Sequence, residues 1–83
     1  MSAAVVTLIG KPDCHLCDQA REVVVPVCAE VGADFQELSV RDSPELYDQY
    51  AELIPVVLIN GVQHQHWQIS GVLLRQALAT SMK

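Results

Sequence analysis

Apolar residues occur along this chain in short continuous runs and in longer stretches with helical spacing. Residues 3–9 form a nearly continuous β-branched and apolar run, which predicts a strand buried on both faces, as in the interior of a parallel sheet. Gly10 and Pro12 end this run, because proline lacks an N–H and drives the preceding residue towards an extended conformation.

Helical spacing follows the first strand. Apolar residues recur every third or fourth position and predict one inward face: Leu16, Ala20, Val23, Val27 and Val31. Pro26 interrupts this stretch and costs a helix interior about 3 kcal/mol. Because the spacing continues on both sides of Pro26, we predict one helix with a bend there, ended by Gly32.

The second half of the chain begins with a weak strand and a short helix. Residues 34–40 predict a strand, and its low apolar content favours a position at the edge of the sheet. Ser43 is suited to cap the next helix, with Pro44 in its first turn. The inward side of this helix is predicted to carry Leu46, Tyr50 and Leu53.

The last elements are a hairpin and a helix. Residues 56–59 and 62–69 predict two strands joined at Asn60-Gly61, a pair that favours a type I′ turn with positive φ at both positions. Ser70 is suited to cap the final helix, whose inward residues are predicted to be Leu74, Ala77 and Leu78. The order β-α-β-α-β-β-α predicts an α/β fold with a mixed sheet in one domain, residues 1–83.

Charge excludes some classes of function. The net charge is −5, with 5 basic against 10 acidic residues and no basic run, which argues against binding to nucleic acid or to an anionic membrane surface. The apolar runs are too short to span a bilayer. No basic segment precedes the first apolar run, so we expect a cytoplasmic protein without a secretory signal.

The candidate chemistry is carried by Cys14-His15-Leu16-Cys17, at the predicted start of the first helix. Two cysteines at this spacing lie within one helical turn and can form a disulfide. Unpaired N–H groups at a helix N-terminus stabilise a thiolate, which is the attacking species in disulfide exchange. Redox use of this pair, with Cys14 first, is the preferred interpretation.

Two alternatives stay open from the residues alone. The pair could bind zinc, but Cys28 lies about 16 Å along the helix from Cys17 and cannot share a metal with it. Cys14 could also bridge an iron–sulfur cluster between two chains. His64 and His66 are better explained as polar edge-strand residues than as ligands. Alternatively, the cysteines could serve a non-catalytic, redox-sensing or partner-binding module. Cys28 is expected in the core, where it packs as a small apolar residue.

The chain resembles the glutaredoxin branch of the thioredoxin fold, and most closely the small bacterial glutaredoxin-like proteins. The resemblance covers nearly the whole chain and is carried by these segments: Cys14-His15-Leu16-Cys17-Asp18, Asp42-Ser43-Pro44-Glu45-Leu46, Tyr50, Ile54-Pro55-Val56 and Asn60-Gly61. It implies a four-stranded sheet in the order 2-1-3-4 with the third strand antiparallel. It also implies that Pro55 is cis and faces the cysteines, and that Ile54 offers backbone groups to a substrate.

The resemblance further implies a thiol–disulfide oxidoreductase in which Cys14 attacks and Cys17 resolves the mixed disulfide. The substrate-binding positions would be Lys11, His15, Leu16, Ile54 and Pro55, and no metal would be bound. No bound cofactor is expected, and glutathione is the candidate co-substrate. The expected partners are a disulfide-containing protein or a glutathione mixed disulfide, with glutathione or thioredoxin reductase as electron donor, and the expected state is a monomer.

The sequence departs from typical dithiol glutaredoxins at two places. His15-Leu16 stands between the cysteines where those proteins carry Pro-Tyr. Residues 67–71 read Trp-Gln-Ile-Ser-Gly, whereas those proteins carry a Gly-Gly and Asp signature that holds glutathione. Packing, and not service as a platform for substrate, is the expected role of Trp67 and Tyr50.

Overall fold

The computed structural model describes residues 4–81. It contains four strands and three helices in this order: β1 (Val5–Gly10), α1 (His15–Val31), β2 (Asp34–Ser39), α2 (Pro44–Tyr50), β3 (Val56–Ile59), β4 (Val62–His66) and α3 (Gly71–Ser81). The strands form one sheet in the order β2-β1-β3-β4. β1 is parallel to β2 and antiparallel to β3, and β3 is antiparallel to β4, so the predicted topology is confirmed.

The sheet separates two apolar clusters. On one face, Val6, Leu8 and Val57 pack against buried residues of α1 and α3, including Leu74 and Leu78. On the other face, a smaller cluster is covered by α2 and the loop after it; its buried members are Ile9, Val40, Val56 and Leu58. Successive residues of β1 and β3 therefore point to opposite faces, and both faces are covered, which explains the continuous apolar runs.

Local sequence signals account for the ends of several elements. The Ser43 hydroxyl accepts a hydrogen bond from the N–H of Leu46 at 3.1 Å, and Pro44 begins α2, as predicted. Asn60 and Gly61 both have positive φ, 52° and 84°, which the hairpin turn requires. Gly32 ends α1 in the left-handed conformation, and α1 continues through Pro26.

The phase of α1 differs from the prediction. Its buried residues are Cys17, Ala20, Val24, Val27 and Cys28, whereas Leu16 is 53% exposed. The buried face is therefore displaced by about one residue from the predicted one. The sequence could not fix this phase because further valines and cysteines lie beside several of the predicted inward positions.

The strand limits also differ from the predictions. β4 ends at His66 and not at residue 69, because Trp67 adopts a positive φ of 65° that a strand cannot continue through. On a regular strand, His64 and His66 would share one face, but a bulge at His64 breaks this two-residue repeat. β2 ends at Ser39 and β1 begins at Val5, while the predicted start at Ala3 lies outside the described residues.

No helix within residues 4–81 is long and apolar enough to cross a membrane.

Candidate active site

The cysteine pair lies at one end of the sheet. Cys14 follows β1 after a three-residue connection, and Pro55 immediately precedes β3. Because β3 runs antiparallel to β1, the segment that follows β1 and the segment that precedes β3 meet at the same end of the sheet. The fold thus brings residues more than 35 positions apart in sequence to one place.

Cys14 is the N-cap residue of α1. Its sulfur accepts a hydrogen bond from the backbone N–H of Cys17 at 3.2 Å, so one of the unpaired donors of the first helical turn points at it. The carbonyl of Cys14 accepts from the N–H of Asp18 at 3.0 Å. A negative charge on the Cys14 sulfur would be stabilised by the Cys17 donor and by the helix dipole.

The two cysteines differ in accessibility. Their sulfur atoms lie at disulfide distance and their Cα atoms are 5.2 Å apart. Cys14 is half-buried, whereas Cys17 is only 1% exposed. An external disulfide can therefore approach Cys14 but not Cys17, which suits an attacking sulfur and a sheltered, resolving sulfur.

Gly10 makes room for Cys17. A Cβ atom at Gly10 would lie 2.9 Å from the sulfur of Cys17 and 3.0 Å from its Cβ. Gly10 does not have a positive φ, so glycine is required here for space and not for backbone conformation. The last residue of β1 thus seats the buried sulfur directly against the backbone of the sheet.

The segment before β3 is held by two hydrogen bonds from Trp67. The Ile54–Pro55 peptide bond is cis, and Pro55 is fully buried. The backbone N–H of Trp67 donates to the carbonyl of Pro55 at 2.9 Å, and the Trp67 indole N–H donates to the carbonyl of Glu52 at 3.0 Å. Within residues 4–81, the backbone groups of Ile54 make no hydrogen bond to other backbone groups, so they are available to a ligand.

Two separate grooves adjoin the site. The first, of about 390 Å³, is lined by charged residues that include Lys11, Arg21, Glu37 and Asp42. Arg21 is not free in this groove, because its Nε lies 2.9 Å from Glu37 Oε1 in a two-pronged ion pair that raises the arginine pKa. The second groove, of about 330 Å³, runs between α1 and the loop after β4.

The structure separates some of the predicted binding residues. Leu16 lines the second groove together with Trp67, while Lys11 lines the first. His15 is exposed on the first turn of α1, where its Nε2 lies 3.1 Å from the side-chain nitrogen of Gln19. Lys11 therefore lines a different groove from residues 67–69, part of the segment that stands where typical glutaredoxins carry the Gly-Gly and Asp signature.

The position of Cys28 and the grouping of possible metal ligands bear on the alternatives to redox chemistry. Cys28 is buried in the core, as predicted, and burial raises the pKa of its thiol. Within the described range 4–81, no three His, Cys, Asp or Glu side chains are grouped so that they could hold a metal ion. In that range, a single chain therefore does not supply the four ligands that a structural zinc site needs.

Two residues have roles that sequence reasoning misses. The sequence marks Gly10 only as the end of a strand, although its position before a cysteine motif could suggest close packing. The packing expected of Trp67 is not found, since its side chain is 57% exposed and borders the second groove. No sequence signal indicates this exposure, because a lone tryptophan at a strand end is most simply explained by packing. Tyr50, in contrast, packs against the smaller apolar cluster, as predicted.

Known proteins share this architecture. A mutant thioredoxin from Halobacterium salinarum NRC-1 superimposes with a TM-score of 0.75 at 15% identity, covering 99% of this chain and 77% of that chain. The oxidized mitochondrial thioredoxin 3 of Saccharomyces cerevisiae gives a TM-score of 0.70 at 13% identity, covering 96% and 80%. At these identities, the likeness establishes a thioredoxin-like fold.

Sequence comparison gives the family. An uncharacterized protein of Mycobacterium tuberculosis (strain ATCC 25618 / H37Rv) is 28% identical, over 98% of this chain and 89% of its own length. A protein of Mycobacterium bovis is similar to the same extent. The glutaredoxin-like domain (DUF836) matches residues 5–79, which include both cysteines and Pro55. The chain therefore belongs to the glutaredoxin-like domain family.

Proposed function

We propose that this protein is a thiol–disulfide oxidoreductase that uses Cys14 and Cys17 as a dithiol. The observation that carries the proposal is the half-buried sulfur of Cys14 at the N-cap of α1, at disulfide distance from the buried sulfur of Cys17. Family membership and the free backbone groups of Ile54 support it.

The reaction proceeds in two exchange steps. The Cys14 thiolate attacks one sulfur of a substrate disulfide, forms a mixed disulfide and releases the other substrate sulfur as a thiolate, which takes up a proton. Cys17 then loses its proton and attacks the Cys14 sulfur, which releases the second substrate thiol. The substrate gains two electrons and two protons, and the protein is left with the Cys14–Cys17 disulfide.

A new cycle needs two electrons from an external thiol. We propose that glutathione or the dithiol of thioredoxin reductase supplies them, in a reducing compartment such as the cytoplasm. No bound cofactor is needed for the exchange itself, because the two sulfurs carry both electrons. Ile54 would hold an extended substrate by its backbone groups, beside Pro55.

The experiment is a single-turnover reaction followed by intact mass. Pre-reduced protein, freed of reductant, is mixed with one equivalent of insulin. We expect the wild type to lose two hydrogens while insulin gains thiols. Cys17→Ser should accumulate a mixed disulfide on Cys14, and Cys14→Ser should do neither. Cys28→Ala is the matched control, since it removes a buried thiol and should retain the full reaction.

The same measurement separates the alternatives. Insulin reduction that persists in Cys14→Ser would contradict the proposal. A wild type that forms its disulfide reversibly in glutathione buffers, yet reduces no disulfide substrate, would indicate a redox-sensing module. A protein that retains a stoichiometric metal mass after purification without chelator would indicate a metal site between chains.

A further inference from the structure

Trp67 has three unusual properties at one position. It has a left-handed backbone conformation, with φ of 65°, which is rare for a bulky side chain and marks positions that the surrounding structure holds in place. It is hydrogen-bonded through both its backbone and its indole N–H to the segment that carries Pro55. Nevertheless, its side chain is 57% exposed. The structure thus holds a large apolar surface out towards solvent in a fixed position.

The ring of Trp67 forms one wall of the second groove, and Leu16 forms part of the other. Leu16 lies between the two cysteines in sequence and is 53% exposed, so the groove begins at the residue that precedes Cys17. Val23 of α1 and Ile69 of the loop after β4 extend the apolar lining. The groove therefore extends from the cysteine motif along α1, and nothing within residues 4–81 fills it.

The lining of this groove carries no charged residue, which disfavours glutathione. None of the residues that line it is ionisable, and its polar members are the amides Gln19 and Gln68. Glutathione carries two carboxylates and an ammonium group, and burying a charge without a partner is costly. Lys11, the basic residue expected to contact glutathione, lines the other groove, where Glu37 and Asp42 also lie.

We infer that the groove between Leu16 and Trp67 binds an apolar side chain next to the reactive cysteine of a polypeptide disulfide. This inference rests on the proposed function and specifies its substrate class as a protein disulfide with an apolar flanking residue. Trp67 is then a specificity-determining residue: its backbone clamp fixes the ring, and the ring covers the bound side chain.

The test compares three probes that release the same leaving group. Each is a mixed disulfide with thionitrobenzoate: a short peptide with Leu beside its cysteine, the same peptide with Glu in place of Leu, and glutathione. The Cys17→Ser protein reacts with each through Cys14 alone, and released thionitrobenzoate gives the rate. High ionic strength screens the net charge of −5, so that acidic probes are not disfavoured merely by the field of the protein.

We expect the Leu peptide to react about tenfold faster than the Glu peptide or glutathione, a difference equivalent to about 1.4 kcal/mol. Adding Trp67→Ala should slow the Leu peptide more than the Glu peptide or glutathione, and so remove most of this preference. Trp67→Phe keeps a ring but loses the indole donor, so it should retain most of the preference. Tyr47→Ala is the matched control, because Tyr47 is an aromatic residue of α2 with 58% exposure that lines a different groove.

Several outcomes would overturn the inference. Glutathione reacting as fast as the Leu peptide would assign the groove to glutathione. An equal slowing of all three probes by Trp67→Ala and Trp67→Phe would show that Trp67 only holds the backbone. A wild-type dimer by light scattering that Trp67→Ala converts to a monomer would assign the groove to a second copy. No release from any probe would overturn the proposed function as well, whereas release without preference would overturn this inference alone.

Discussion

Replacing Gly10 by alanine tests whether the buried cysteine depends on the missing side chain at the end of β1. The new Cβ would lie 2.9 Å from the Cys17 sulfur, whereas favourable carbon contacts are about 3.5–4.0 Å, so the two atoms must separate by roughly 0.6 Å or more. Cys17 is only 1% exposed and cannot swing into solvent. Overpacking of this kind costs about 1–3 kcal/mol.

Part of this cost is offset, because alanine lowers the conformational entropy of the unfolded chain, a gain of about 0.4–1 kcal/mol relative to glycine. We therefore expect Gly10→Ala to lower the free energy of unfolding by about 1–2 kcal/mol. For a chain of this size, the melting temperature should fall by about 5–15 °C. The assay is thermal and urea unfolding followed by circular dichroism, in both the oxidised and the reduced protein.

Gly71→Ala is the control for Gly10→Ala. A Cβ at Gly71 would meet Val23 Cγ1 at 3.3 Å and Val27 Cγ2 at 3.7 Å, so only a few tenths of an ångström of adjustment is needed. Its stability should stay within about 0.5 kcal/mol of the wild type. If Gly10→Ala unfolds at the wild-type temperature, or no earlier than Gly71→Ala, the argument that Gly10 seats Cys17 is refuted.

Three further predictions concern other parts of the fold. Burial raises the pKa of Cys28, so its thiol ionises at lower pH in the unfolded chain than in the folded protein, and the stability of the oxidised protein should fall above about pH 8.5. The midpoint of urea unfolding should fall less steeply with pH in Cys28→Ala. Arg21→Gln removes the exposed ion pair with Glu37 and should cost about 0.5–1 kcal/mol at low salt and less at high salt, by urea unfolding at both salt concentrations. Asn60→Ala should lower the free energy of unfolding by about 1–3 kcal/mol, because it loses the 2.9 Å hydrogen bond from the Val5 N–H and places alanine at a positive φ. Asn60→Gly removes the φ strain and should recover part of this stability in the same urea assay.

Much of the topology could be predicted because local signals and the global fold agree. The apolar runs at β1 and β3 require a sheet covered on both faces, and the Asn60-Gly61 turn fixes the hairpin between β3 and β4. The cysteines can be placed at the start of α1 because a strand, a proline-containing break and helical spacing occur in that order. These signals are local in sequence and need no knowledge of tertiary contacts.

The features that the sequence does not predict depend on tertiary contacts that no local pattern encodes. Whether Leu16 or Cys17 faces the core is decided by the space at Gly10, which exists only once β1 and α1 are packed together. The exposed Trp67 makes two hydrogen bonds to the loop before β3, which is distant from it in the sequence. The separation of Lys11 from the Trp67 groove follows from the spatial arrangement of loops that are distant in the chain.

The two outer strands of the sheet bear on how this protein behaves at high concentration. An open strand edge can recruit strands from other molecules, which is a common route to aggregation. β2 carries the acidic residues Asp34 and Glu37, and β4 is interrupted by the bulge at His64. Charge on one edge and irregular geometry on the other both oppose edge-to-edge growth, so the sheet is expected to stay at four strands in crowded solution.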